Sequence, residues 1–120
     1  MFSLVVSKNI KNLRSSMGCS LRTFASISGV SERTLIRWEK QSVKPRIKSQ
    51  KIIDKIEELC EILADIFGRD QNKISKWLNT PNKSLNGKTP LKQIISAPTE
   101  EQGIEQIIDL LNGFKWGIAS

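Results

Sequence analysis

The sequence contains no histidine and no tyrosine, and only two cysteines. Without imidazole there is no Ser-His-Asp or Cys-His catalysis, no helical zincin motif and no zinc finger that needs a His ligand. Cys19 and Cys60 lie far apart and outside any C-x-x-C spacing, so they read as reduced, buried thiols of a reducing compartment. Three Trp and four Phe are the only aromatics, and such a chain lacks the β-branched and aromatic runs of large sheets or barrels. No segment approaches the roughly 20 apolar residues of a membrane helix. The apolar run Leu4-Val5-Val6 has no basic stretch ahead of it, which is unlike a signal peptide. The expectation is a helical, cytoplasmic protein with no catalytic residues, metal, cofactor or membrane partner.

What the chain does have is positive charge in one half. It carries 19 Lys and Arg against 12 Asp and Glu, a net of +7. Residues 1–51 hold eleven bases and two acids (+9), and residues 52–120 hold eight bases and ten acids (−2), which together restore +7. Lys and Arg that neutralise phosphates release counterions, so the first half is the candidate for nucleic-acid contact.

Helical periodicity organises the whole length. Val6, Ile10, Leu13 and Met17 mark a first helix stopped by Gly18. Ser20 and Ser31 suit the N-caps of two short helices, Leu21 to Ser28 and Glu32 to about Lys40, with Gly29 at the turn between them. Beyond Pro45, the residues Ile52, Ile53, Ile56, Leu59, Cys60, Leu63, Ile66 and Phe67 share one face of a long helix whose other face is acidic. Its apolar stripe serves either the chain's own core or a coiled-coil seam. Asp70 caps a helix with Ile74, Trp77 and Leu78. After a polar loop from Asn79, Thr89-Pro90 starts another. Thr99 and Gln102 have capping-box spacing ahead of a last helix through Leu111, which Gly113 is expected to close.

From Leu21, a twenty-residue helix-turn-helix register places suitable residues where that motif needs them. Ala25 is small where the two helices touch, Gly29 tolerates positive φ, and Phe24, Val30, Leu35 and Trp38 are apolar. Only Ser28 stands where an apolar residue is usual. With the Trp38-Glu39 pair and a Pro shortly beyond, residues 6–47 resemble the helix-turn-helix of the Xre and lambda-repressor family. The third helix then faces the major groove with Ser31, Glu32, Arg33, Thr34, Ile36 and Arg37. Arg33 and Arg37 can fork onto guanine and Glu32 can accept from cytosine N4. Arg22, Lys40, Lys44, Arg46 and Lys48 are candidate phosphate contacts.

The second half carries Trp77-Leu78-Asn79-Thr80-Pro81-Asn82, then Leu85, Gly87 and Pro90, flanked by Phe67-Gly68, Gly103, Leu111 and Gly117. This pattern resembles the toxin-binding C-terminal domain of Xre/MbcA/ParS-type antitoxins over about residues 59–120. In physical terms, Trp77 and Leu85 are expected as core anchors and Pro81 and Gly87 as loop formers. The resemblance implies a RES-domain toxin, one that consumes NAD or transfers ADP-ribose, as partner. It also implies that the final residues approach that toxin's active-site cleft. Here those residues are Phe114, Lys115, Trp116, Gly117, Ile118, Ala119 and Ser120, two aromatics beside a cation.

The resulting expectation is an all-α protein. Residues 1–48 form a helix-turn-helix domain, residues 49–68 a long connecting or dimerisation helix, and residues 69–120 a small helical toxin-binding domain. It neutralises a toxin by direct binding and, as a homodimer on operator DNA, represses its own operon. The alternative is a phage-like repressor whose C-terminal half only oligomerises.

Overall fold

The computed structural model describes residues 6–40 and 47–115, with side chains at 10–40 and 49–114. Among the described residues the chain is all-helical: α1 (Val6–Met17), α2 (Leu21–Ser28), α3 (Glu32–Lys40), α4 (Ile47–Phe67), α5 (Gln71–Leu78), α6 (Pro90–Ser96) and α7 (Glu100–Lys115), with a 3-10 turn at Lys83–Leu85. That turn lies in the expected polar loop, where the Asn82 side chain accepts from the Ser84 N–H at 2.9 Å.

The helix starts follow from local chemistry. Ser20 accepts from the Thr23 N–H at 3.1 Å, and Ser31 repeats the arrangement with Thr34 at 3.2 Å. Asp70 accepts from Asn72 and Lys73, Thr89 from Lys92 and Thr99 from Gln102. Each cap satisfies amide donors that have no intrahelical partner.

One contiguous apolar cluster runs through all seven helices, from Ile10 and Leu13 on α1 to Ile107 and Leu111 on α7. Ile53, Ile56, Leu59, Cys60 and Leu63 place α4 at its centre, against α1, α2, α5 and, most extensively, α7. The apolar stripe of α4 is therefore consumed inside the chain. Its exposed side carries Asp54, Glu58, Glu61 and Asp65.

Two expectations for the C-terminal half are corrected. Gly113 does not close the last helix: it is buried, and α7 continues to Lys115. A helix-stopping glycine needs a left-handed conformation, and Gly113 is not among the positive-φ glycines. Like Leu85, Trp77 is half-buried rather than a core anchor. It rests against the cluster with its ring 6.1 Å from that of Phe67, tilted by 44°. Gly103 marks a close approach of α7 to α6, since a Cβ there would lie 2.6 Å from both Cα and the carbonyl oxygen of Ile94.

Candidate nucleic-acid interface and C-terminal surface

The α2–α3 pair has the geometry its register requires. Phe24, Ile27, Leu35 and Trp38 are buried and Val30 packs on the cluster. Gly29 closes α2 at φ 72°, donating its N–H to Ala25 O at 2.9 Å. The polar exception, Ser28, is fully buried, but its hydroxyl donates to Ala25 O at 3.4 Å and accepts from the Val30 N–H at 3.3 Å. Both capacities of the hydroxyl are used locally, so the residue costs little where an apolar one is usual.

With Leu35 and Trp38 inward, α3 turns Glu32, Arg33, Ile36, Arg37 and Lys40 to solvent. The structure thus brings these five of the sequence-derived residues onto one face. At the start of α3, Ser31 donates its hydroxyl to Thr34 Oγ1 at 2.9 Å and accepts from the Thr34 N–H at 3.2 Å, which fixes the helix start. Arg22 lies 3.8 Å from Glu32, with both side chains largely exposed. Such a surface pair contributes little to stability, yet it offsets the one acid on the outward face. Lys44 and Arg46 lie outside the described residues, as does the side chain of Lys48.

Sequence reasoning missed one contact in this half. Arg14 on α1 donates to Glu39 on α3 through Nε and Nη2, both at 3.1 Å. This hydrogen bonding holds the Arg14 pKa above its ordinary value despite some desolvation. In the sequence Glu39 stands out only as the neighbour of Trp38. The contact spans 25 positions, and helical spacing gives no signal for it. Both acids of the basic half are therefore matched by arginines, and Arg33, Arg37 and Lys40 remain exposed beside them.

In the C-terminal half, Phe114 is exposed on the last turn of α7. The Lys115 side chain and Trp116, Gly117, Ile118, Ala119 and Ser120 lie outside the described residues. Lys55 joins α4 to α7 through Glu105 at 2.7 Å, with Glu58 at 3.9 Å.

Among the described residues no set of side chains converges on a reacting centre. Burial pushes the Cys19 thiol up to about 11 and the Cys60 thiol up to about 12, far from a nucleophile's range. The two thiols point at successive carbonyls of the last turn of α1, Cys60 at Leu13 O and Cys19 at Arg14 O. Among the described residues no three His, Cys, Asp or Glu side chains are grouped to hold a metal ion. Nor is any described helix long and apolar enough to cross a membrane. An open cavity of about 220 Å³ between α1, α4 and α5 is lined by Leu13, Ser16, Cys60, Ile74 and the charged Glu57, Glu61 and Arg69.

Comparisons with known proteins bear on both halves. The family described as the antitoxin Xre/MbcA/ParS C-terminal toxin-binding domain matches residues 63–117. A chain of the crystal structure of the M. tuberculosis MbcT-MbcA toxin–antitoxin complex is similar to this one with a TM-score of 0.70 and 18% identity. That match covers 97% of this chain and 98% of the other. At this identity the likeness is one of fold, and it extends over the helix-turn-helix as well as the C-terminal helices. The comparison with curated proteins gives no match.

Proposed function

We propose that this chain, whose residues 63–117 match the model of the antitoxin Xre/MbcA/ParS C-terminal toxin-binding domain, neutralises a cognate toxin by direct binding and represses its own operon through α3. The observation that carries the reading is the presence of both parts on one chain. A family toxin-binding segment shares a single core with a helix-turn-helix whose outward face is cationic.

The partner is a RES-type toxin, as the sequence resemblance implies, and the contact is made by the end of α7 and the residues after it, Phe114 to Ser120. A protein–protein site is the reading that the matched family model supports, since it describes a toxin-binding domain. Operator DNA is bound with Arg33, Arg37, Glu32 and Ile36 toward base edges and with Arg22, Lys40, Lys44 and Arg46 toward phosphates. The DNA-bound form is a homodimer, because a helix as short as α3 gains useful affinity when two copies read half-sites about 34 Å apart. The functional division is residues 1–48 for DNA, 49–68 as the connecting spine and 69–120 for toxin, and both partners place the protein in the cytoplasm.

Co-expression with the toxin encoded beside the gene tests the reading. The full chain is expected to protect cells and to co-purify with the toxin. Operator binding without any toxin complex would instead favour a repressor whose C-terminal half only oligomerises.

A further inference from the structure

Two adjacent rows of side chains cover the outward side of α3. Glu32, Ile36 and Lys40 form one row at four-residue spacing, and Arg33 and Arg37 the other. Ile36 is the only apolar member and is 41% exposed. All four companions are charged and face solvent with it, so Ile36 neither packs on the core nor belongs to an apolar patch. A polar residue would serve equally well on a purely solvated face.

Resting on the operator-binding reading above, we infer that Ile36 is a specificity residue that reads the C5-methyl of a thymine in the major groove, beside bases contacted by Arg33 and Arg37. Isoleucine has no donor or acceptor, and the thymine methyl is the one apolar group that a base pair presents in that groove. Its β-branched side chain has restricted χ1 freedom, so little entropy is lost when it docks. The axial rise from Arg33 to Ile36 is roughly 4.5 Å and from Ile36 to Arg37 roughly 1.5 Å. Both are comparable to the roughly 3.4 Å between stacked bases, so the three side chains address the same or neighbouring base pairs. Arg33 and Arg37 in the neighbouring row place cations beside the apolar group. The half-site chemistry this selects is a thymine next to guanine.

The test uses the full chain and a duplex it selects from a random pool. Thymines in the selected duplex are replaced one at a time by deoxyuridine, which removes the methyl and nothing else. At one position in each half-site the replacement is expected to weaken binding about fourfold, the effect of one buried methyl group. Ile36→Ala is expected to lose a similar factor on the thymine duplex and to bind the thymine and deoxyuridine duplexes equally. Ile36 is exposed, so the variant should match the parent in helix content and melting, which separates a lost contact from a lost fold. If the chain selects a defined sequence yet every thymine tolerates deoxyuridine, the inference is overturned and operator binding stands. The same holds if the deoxyuridine penalty persists undiminished in Ile36→Ala. If no sequence is enriched and duplex binding is absent, the operator-binding reading fails and takes this inference with it.

Discussion

Arg14 and Glu39 meet in a two-pronged contact, Nε to Oε2 and Nη2 to Oε1, both at 3.1 Å, that ties α1 to the last turn of α3. The side chains are only 26% and 15% exposed, so water competes poorly for either. The pair holds α3 against roll and leaves its outward face presented. Arg14→Ala or Glu39→Ala is expected to destabilise the chain by about 1.5–3 kcal/mol, the range for hydrogen bonds to charged groups. Urea unfolding of both single variants and the double variant measures the coupling. Additive losses would show that the two residues act independently.

Gly103 is the second structural pivot. Alanine improves intrinsic helix propensity by about 1 kcal/mol, yet its Cβ would meet the backbone of Ile94 at 2.6 Å. Gly103→Ala is therefore expected to lower stability by about 1–3 kcal/mol as α6 is forced off α7. A raised melting temperature would contradict this packing.

Glu57 supplies a pH signature. Partial burial, with Asp54 and Glu61 nearby, raises its pKa above the ordinary carboxylate value. With a folded pKa above the unfolded one, the contribution to stability is full below the unfolded pKa and is lost as pH rises through the folded value. Glu57→Gln should then raise the unfolding free energy from urea titration at pH 7, by an amount on the order of 0.5 kcal/mol, and give no gain at pH 3. An equal gain at both pH values would remove the carboxyl's ionisation as the cause.

The N-terminal half is largely legible in the sequence because its signals are local. Ser20, Gly29 and Ser31 fix helix ends through bonds within three or four residues, and one turn of periodicity separates Leu35 and Trp38 from Arg33 and Arg37. What cannot be read there depends on residues far apart in the chain. The partner of Glu39 sits on α1. Whether the α4 stripe faces its own chain or another depends on α7 covering it. Gly113 illustrates the same limit: a glycine after an apolar run commonly stops a helix, but tertiary packing buries this one and α7 passes through it.

The two proposed activities should separate on one chain. Arg33→Ala with Arg37→Ala removes two exposed cations and is expected to abolish operator binding while toxin protection persists. With each arginine changed singly, an unchanged salt dependence is expected for a base contact, and a drop would reassign that arginine to phosphate. Loss of both activities together, with the fold intact, would mean that α3 also serves the toxin interface.

The most direct test is binding between the full chain and its purified toxin, compared with a chain ending at Lys115. That truncation keeps α7 as observed and removes only Trp116 to Ser120. Titration calorimetry is expected to give a stoichiometric complex with the full chain and at least a tenfold weaker one with the truncated chain, since a buried aromatic anchor commonly contributes about 2 kcal/mol or more, at roughly 1.4 kcal/mol per tenfold. Equal affinity of the two chains would move the contact to the exposed side of α7, and no complex with the full chain at tens of micromolar would contradict the antitoxin account.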